Sequence, residues 1–278
     1  MKQTSDLAIV LKSVRYQDRH KIVTALTQNN GLISCIAQNS IQSRRFGGCL
    51  EAFSVGLWQF SQKNSNSNLF YLQEASPKKS FNALEQSFTA LSLASFFNEL
   101  LLRVIAPGES CPQVFQLHFN ALCSIDHHYK ETHFEWILIN GFLTKLLQWY
   151  GYQPQLHACI SCNIPTEKIP QNSQLLGLAP KGGWLCEDCS PFENKSSLGE
   201  SIGYLTKNAL SNFNVNLNFP IKKVSQNICG TKKDHQALYE YLFDFAQYHL
   251  PGLDQSPLKS ARFLVQEPTL QPQVSHHQ

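Results

Sequence analysis

Residues 7–75 hold five short hydrophobic segments separated by polar turns. In chain order they are LAIVLKSVRY, HKIVTALT, GLISCIAQ, EAFSVGLWQF and LFYLQEA. The pair Asn30-Gly31 marks the turn into the third segment and is a strong hairpin signal. No helical period interrupts the series, so we predict five strands that close into a small barrel of the OB type. An SH3-like barrel is the alternative.

After Pro77, apolar residues recur at helical spacing. We predict a first helix that ends before Pro107-Gly108, a second over about 112–127, and a third that ends at Gly151. The apolar stripe of the first helix consists of Leu84, Phe88, Leu91, Ala94, Leu101 and Val104. The stripe of the third consists of Phe134, Leu138, Phe142, Leu146 and Trp149.

Helical signals return at 200–212 and at 233–249. The later segment carries a stripe made of Leu238, Leu242, Phe245 and Tyr248. Beyond Pro251 the chain is rich in Pro, Gln and His without a period, and we predict that 266–278 are disordered. The whole pattern predicts an α+β multidomain protein. An OB-type domain covers 1–80, a mostly α-helical domain covers 81–250, and a C-terminal extension covers 251–278.

The composition is that of a globular protein, since 42% of the 278 residues are hydrophobic and 15% are charged. The apolar run near the N-terminus spans only five residues, Leu7 to Leu11. Such a run is too short for a signal peptide or a membrane span. We therefore expect a cytoplasmic protein without a membrane partner.

Four of the nine cysteines form two Cys-x-x-Cys pairs, Cys159 with Cys162 and Cys186 with Cys189, which 23 residues separate. Each turn can aim two thiolates at one point, so two turns complete a tetrahedral Cys₄ site for Zn²⁺. Disulfides are rare in a reducing cytosol, and an odd cysteine count does not suit a closed disulfide framework. We predict one structural Zn²⁺ in a module at about 155–192, inserted in the helical domain.

An enzymatic alternative uses some of the same cysteines. His133-Phe134-Glu135 followed by Cys159-x-x-Cys162 echoes the signature of zinc nucleobase deaminases. Ala158 stands where that signature has proline, and the second cysteine pair would have no role. The sequence has no Gly-rich phosphate loop of the Walker or Rossmann form and no G-x-S-x-G elbow. We therefore predict that the protein is not an enzyme.

Positive charge is concentrated in the first part of the chain. Residues 1–80 carry ten Lys/Arg against four Asp/Glu, a net +6. Residues 81–150 carry three against six, a net −3, and the remainder carries ten of each. A basic barrel on a nearly neutral body indicates a face that binds a polyanion such as nucleic acid.

The candidate DNA-binding residues flank the first turn and occupy the loop QNSIQSRRFGG. They are Arg15, Arg19, Lys21, Arg44 and Arg45. OB folds hold single strands in basic grooves with aromatic side chains on which bases stack, and Phe46, Trp58 and Tyr71 are candidates for that role. The alternative is that Phe53, Trp58 and Phe60 form the core of the barrel.

Four segments together resemble the family of bacterial recombination mediators called RecO. They are AIVLKSVRYQDRHKIVTALTQNNGLI near the N-terminus, SRRFGGCLEAF in the basic loop, GYQPQLHACISC at the first cysteine pair and GGWLCEDC at the second. The resemblance covers roughly 5–250, and its most specific part is GYQPQL with the cysteines that follow.

The resemblance implies a non-enzymatic role in DNA repair and recombination, in the cytoplasm at the nucleoid. Proteins of this family bind single- and double-stranded DNA and anneal complementary strands. With RecR they load RecA onto DNA coated by single-strand-binding protein (SSB), and they contact the acidic C-terminal tail of SSB. The alternative function is that of a zinc-ribbon interaction protein in transcription or translation.

A receptor for the SSB tail needs an apolar pocket with cations at its rim. The sequence suggests such a pocket near the start of the last long helix, and the candidate residues are Lys222, Lys223, Lys232, Lys233, Leu238 and Leu242. The alternative is that the lysines are solvated and the leucines belong to the core.

Overall fold

Five strands at the N-terminal end close into a barrel. They are β1 (Gln3–Tyr16), β2 (His20–Thr27), β3 (Gly31–Ala37), β4 (Val55–Ser61) and β5 (Leu69–Lys79). The order around the barrel is β1-β2-β3-β5-β4, and β4 pairs again with β1. All neighbours are antiparallel except β3 and β5. The predicted OB-type barrel is confirmed.

The computed structural model describes residues 3–41, 43–62, 69–192, 202–254 and 256–265. The tail predicted at 266–278 lies outside these residues.

Side chains alternate between the two faces of each strand, and one of these two sets fills the interior of the barrel. Trp58 and Phe60 of β4 are fully buried, and the ring of Phe60 meets that of Phe70 edge-on with centroids 5.4 Å apart. Small and β-branched side chains from the other strands complete this interior, for example Ala8, Val10, Val23, Ala25 and Cys35. The second interpretation of Trp58 and Phe60, as core residues, is therefore the one that the structure bears out.

Four long helices follow the barrel: α2 (Phe88–Val104), α3 (Pro112–His128), α4 (Phe134–Trp149) and α6 (Lys232–His249). A one-turn helix, α1 (Ala83–Gln86), precedes them. A further helix, α5 (Lys207–Asn218), lies between α4 and α6 in the chain, and α7 (Arg262–Val265) closes the described residues. The helix α4 packs against α3, α5 and α6, so it forms the centre of the helical part.

The first predicted helix differs from the structure in two respects. Ser87 accepts a hydrogen bond from the backbone N–H of Ala90 at 3.2 Å, and this cap separates α1 from α2. Phe88 and Leu91 are 53% and 38% exposed, although the sequence placed them on the buried stripe. The buried face is instead built from residues such as Leu93, Phe97 and Leu101.

The helix predicted over 200–212 is partly a strand. Residues Ile202–Leu205 form β8, which pairs with β6 (Leu175–Leu178). The strand β6 also pairs with β7 (Gly183–Leu185), which gives a three-stranded sheet in the order β7-β6-β8. Thr206 then caps α5 by accepting from the N–H of Ala209 at 3.1 Å. The pairing with β6 overrides the local helical period, as tertiary contacts often do in short segments.

The barrel and the helices share a hydrophobic core. Ile9, Leu11 and Leu26 from the barrel strands belong to the same buried cluster as the helical side chains. The junction is tight at Gly31, whose φ is +66° and where a Cβ would collide with the carbonyl oxygen of Glu109. Beside it, the N–H of Gly108 donates to the carbonyl oxygen of Leu32 at 2.9 Å. Within the part of the chain that the structure describes, no helix is long and apolar enough to cross a membrane.

Candidate metal centre and basic barrel face

The first cysteine pair lies in a tight turn before the small sheet. The N–H of Cys159 donates to the carbonyl oxygen of Ile164 at 3.0 Å, and the N–H of Asn163 donates to the carbonyl oxygen of Cys159 at 3.0 Å. Asn163 has φ +59°, a conformation that asparagine tolerates better than most residues. This turn aims the thiols of Cys159 and Cys162 to the same side.

The second pair lies directly after β7. The N–H groups of Cys189 and Ser190 both donate to the carbonyl oxygen of Cys186, at 3.1 and 2.9 Å. The two turns are held together through β7, because the N–H of Ile160 donates to the carbonyl oxygen of Trp184 at 3.0 Å. Gly183 allows this approach, since a Cβ there would collide with Ile160.

The four sulfur atoms form one compact group. All of them lie within 4.8 Å of one another, and the Sγ atoms of Cys162 and Cys186 are 3.7 Å apart. A tetrahedral thiolate site with metal–sulfur bonds of about 2.3 Å has sulfur–sulfur edges of about 3.8 Å. The spacing of the donors therefore fits a metal ion, and the four-cysteine group can hold one.

The electrostatics of the group favour a cation. Burial raises the pKa of the Cys159 thiol, but backbone N–H groups of Cys162, Cys186 and Ser161 outweigh burial and lower it to about 7. Burial and the neighbouring thiols together raise the pKa of Cys186 to about 12. Four thiolates at this separation repel one another, and a bound divalent cation would offset both costs.

The deaminase alternative finds no support in this geometry. In the described residues, the group of possible metal ligands around Cys159 contains only the four cysteines. His133 is the N-cap of α4, with φ +62°, and Glu135 lies in the first turn of that helix. Both residues therefore occupy the start of a helix, where the dipole favours a carboxylate.

The structure brings the five candidate DNA-binding residues to one end of the barrel, which we call the basic face: Arg15, Arg19, Lys21, Arg44 and Arg45. Arg15 pairs with Lys21 across β1 and β2, so both side chains leave the same side of the hairpin. Lys21 also forms an ion pair with Glu51. Arg19 lies in the turn between the two strands.

The loop after β3 joins the hairpin at this end. The N–H of Asn39 donates to Nδ1 of His20 at 2.9 Å, and the N–H of Ile41 donates to the carbonyl oxygen of Arg19 at 3.5 Å. Arg45 donates through Nη2 to the carbonyl oxygen of Gln38 at 3.3 Å. These bonds place the arginine loop beside the first turn, and Arg44 and Arg45 both remain exposed.

The aromatic candidates are placed differently from the prediction. Phe46 is 2% exposed and lies under the guanidinium of Arg45, 5.4 Å from its ring centroid, while Trp58 is fully buried. Neither ring can reach a base. Tyr71 is half-buried between β3 and β4. Tyr16, which is exposed at the end of β1, was not among the predicted residues, although its position beside the basic turn was an available signal.

The predicted partner site near the start of α6 is corrected in part. Leu238 and Leu242 are fully buried in the core, so they cannot line a surface pocket. Lys222 and Lys223 are exposed on a turn of 3₁₀ helix (Ile221–Gln226), and Lys233 is exposed at the start of α6, where Lys232 is half-buried.

Two family models match nearly the whole described chain. Residues 1–81 match the model described as Recombination protein O N terminal, and residues 85–260 match the one described as Recombination protein O C terminal. The chain belongs to the recombination protein O family. The resemblance seen in the sequence is therefore confirmed.

Individual relatives of this family carry the name DNA repair protein RecO. The one from Syntrophotalea carbinolica is 30% identical over 192 residues, which are 68% of this chain and 70% of that protein. The one from Anaeromyxobacter sp. (strain K) is 29% identical over 184 residues, 66% of this chain and 69% of that protein. Membership of the family supports a role in DNA repair and recombination, and not the alternative in transcription or translation.

Proposed function

We propose that the protein is a DNA-binding recombination mediator and not an enzyme. In this proposal residues 1–80 form the nucleic-acid-binding domain, residues 81–250 form the body that carries the metal module, and residues 251–278 are an extension. The observation that carries the proposal is the basic face on a closed OB-type barrel, in a chain that belongs to the recombination protein O family.

The basic face suits the phosphate backbone of single- and double-stranded DNA. Its cations come from a hairpin and one loop that hydrogen bonds hold together, so they can contact successive phosphates. Phosphate contacts of this kind do not depend on base sequence. Binding two strands without reading their sequence is what annealing of complementary strands requires.

The protein partners follow from the family resemblance: RecR, the tail of SSB and, indirectly, RecA. For the acidic SSB tail, a groove between α3 and α4 has an apolar lining with lysines beside it, whereas the leucines of the site predicted at α6 are buried. Its apolar lining comes from Val114, Leu117, Trp149, Pro220 and Ile221. Lys145 lines it as well, and the exposed Lys222 follows Ile221 directly.

Lys145 is held in place at this groove. Its Nζ donates to the carbonyl oxygen of Leu217 at 2.7 Å and lies 3.5 Å from Oε1 of Gln148. Burial lowers the pKa of Lys145, which indicates that its charge is partly removed from water. A carboxylate of the tail would compensate for that loss.

The metal of the four-cysteine group is proposed to be one Zn²⁺. The ligands would be Cys159, Cys162, Cys186 and Cys189, and thiolates at tetrahedral spacing are the donors that zinc prefers. When bound, the ion would cross-link the two turns and add its binding free energy to folding. With four protein ligands it would have no open position for a substrate.

The test is a measurement of DNA binding against salt. The double variant Arg44→Ala with Arg45→Ala should lower the slope of log K against log [KCl] by about 1.4 for single strands and about 1.8 for duplex. A matched control, Lys222→Ala with Lys223→Ala, removes two exposed cations far from the barrel in sequence and should leave the slope unchanged. Fluorescence anisotropy gives K, and annealing of complementary oligonucleotides is followed on the same samples. Absence of DNA binding by the unaltered protein would refute the proposal.

A further inference from the structure

One end of the barrel exposes apolar side chains among its cations. Val14 is 48% exposed, Tyr16 is 43% exposed and Ile41 is 42% exposed. Val14 and Tyr16 end β1, and Ile41 reaches the same place because its N–H donates to the carbonyl oxygen of Arg19. Large apolar side chains on a basic surface carry a cost in water, so their ligand should have both charge and an apolar face.

The hairpin presents two different faces at this end. Side chains alternate along a strand, so Val14 and Tyr16 share one face and Arg15 takes the other. Tyr16 lies directly opposite His20, and Val14 opposite Ile22. His20 is fixed by the hydrogen bond that its Nδ1 accepts from Asn39. The ring of Tyr16 is therefore presented on a paired strand, with Arg19 in the adjoining turn and with Arg15 and Lys21 on the opposite face of the hairpin.

Tyr16 is the most exposed aromatic side chain of the barrel in the described residues. Phe46, Trp58 and Phe60 are in the core, and Phe53, Phe70 and Tyr71 are all partly buried. The charge at this end of the barrel is positive on balance: the basic face has five cations, of which Arg15 and Lys21 lie on the opposite face of the hairpin from Tyr16, against Asp18 in the turn and Glu51, which is paired with Lys21. This combination of one free ring and several cations matches single-stranded nucleic acid.

We propose that Tyr16 is the stacking residue for an unpaired base of single-stranded DNA. The proposal rests on the proposed DNA binding at the basic face and adds the origin of strand selectivity. Arginine and lysine contacts to phosphate are available to duplex and single strands alike. A base can stack on a tyrosine ring only when it has left its own duplex stack, so Tyr16 favours single strands.

The experiment compares DNA with and without bases. The probes are a fluorescent oligothymidylate, an abasic oligomer of the same length, and a duplex. Tyr16→Ala should weaken oligothymidylate binding roughly fivefold to 150-fold, which corresponds to about 1–3 kcal/mol for one stacked base. It should leave binding of the abasic oligomer and the duplex within about twofold, since the phosphate contacts remain. Tyr16→Phe should keep the affinity for oligothymidylate because it keeps the ring.

A control removes an equally exposed tyrosine elsewhere. Tyr204 of β8 is 58% exposed, and Tyr204→Ala should change none of the three affinities. Equal losses by Tyr16→Ala on the abasic oligomer and on oligothymidylate would overturn the proposal, because the effect would then not involve a base. Unchanged oligothymidylate affinity would also overturn it, while leaving DNA binding itself intact. Loss of RecR binding by Tyr16→Ala at unchanged DNA affinity would identify the patch as a protein interface instead. An unaltered protein that binds no DNA would refute both proposals.

Discussion

Asn98 of α2 donates its side-chain amide to the backbone carbonyl oxygen of Leu11, at 3.0 Å. The same amide lies 3.3 Å from the carbonyl oxygen of Val10. Leu11 is the extra residue of a bulge in β1, because the register against β2 shifts between Val10 and Lys12. A polar side chain of the helical part thus satisfies the backbone at the irregular point of the barrel, in a place that is almost fully buried.

Asn98→Ala should destabilise the protein by about 1–3 kcal/mol, because the bulge carbonyl would lose its partner in a buried site. The free energy of unfolding in urea measures the effect. Ser95→Ala is the matched control, since the Ser95 hydroxyl donates to the carbonyl oxygen of Leu91 in its own helix and the side chain is partly exposed. A loss below about 0.5 kcal/mol, the range of ordinary surface substitutions, would contradict the structural role of Asn98.

Removing one metal ligand should remove the metal. Cys186→Ser is expected to abolish zinc binding and to unfold the module, because apparent binding free energies of structural zinc sites reach about 10–16 kcal/mol. Metal analysis of the purified protein should give one zinc per chain for the unaltered protein. Cys229→Ser is the control, since Cys229 is an exposed thiol outside the group. Full zinc in a variant with Cys186→Ser and Cys189→Ser would disprove the assignment.

We expect the SSB tail to bind in the groove between α3 and α4. Lys222→Glu should weaken binding of a short acidic peptide with an apolar C-terminal residue by roughly fivefold, or about 1 kcal/mol, which is the upper range for an exposed ion pair. The comparison variant is Lys233→Glu, at the start of α6, the place that the sequence suggested. Fluorescence anisotropy of the labelled peptide distinguishes the two sites. A larger loss of peptide affinity with Lys233→Glu than with Lys222→Glu would place the binding site at the start of α6.

His118 should make the protein sensitive to acid. It is fully buried in α3 against the edge of Phe142, and burial lowers the pKa of His118 to about 3. The unfolded chain has an ordinary histidine pKa of about 6.5. At mildly acidic pH, His118 is therefore protonated in the unfolded chain and neutral in the folded protein. Stability should therefore fall as the pH drops below about 6.5, by up to ~1.4 kcal/mol per pH unit.

The variant His118→Leu removes this contribution. Urea unfolding at a series of pH values should show that the variant loses less stability than the unaltered protein between about pH 6.5 and pH 4. Substitution of the exposed His127 on the same helix gives the baseline for the loss of an imidazole. Parallel stability curves for His118→Leu and the unaltered protein would show that His118 binds its proton equally well in the folded and unfolded states, and would contradict a lowered pKa of His118.

The sequence predicts the elements whose signal is local. Alternating strands with the turn at Asn30-Gly31, long helical stripes, and two Cys-x-x-Cys turns all depend on neighbouring residues, and the structure contains each of them. Features that depend on contacts between residues far apart in the sequence were predicted wrongly or not at all. Residues Ile202–Leu205 are a strand only because β6 lies beside them. Leu238 appeared to be a possible pocket residue because one sequence does not show which side of α6 faces α4.

The residues of the candidate sites also divide into those that the sequence predicts and those that it does not. The four candidate metal ligands could be named from their spacing, and the five cations of the basic face could be named because the hairpin and one loop carry them. The roles of the aromatic side chains could be predicted only in part, since a core role for Trp58 was one of two alternatives and Tyr16 was not named. Phe46 is covered by Arg45, and Tyr16 is exposed because β1 extends beyond the barrel interior. Both outcomes are decided by three-dimensional packing.

The close approach of Gly31 to Glu109 has a mechanical consequence. With no room for a Cβ and with the Leu32–Gly108 bond beside it, the barrel is in close backbone contact with the segment between α2 and α3. This contact and the shared hydrophobic core restrict movement of the barrel against the helices. A DNA strand at the basic face and a protein tail in the groove between α3 and α4 would therefore be held on one connected unit.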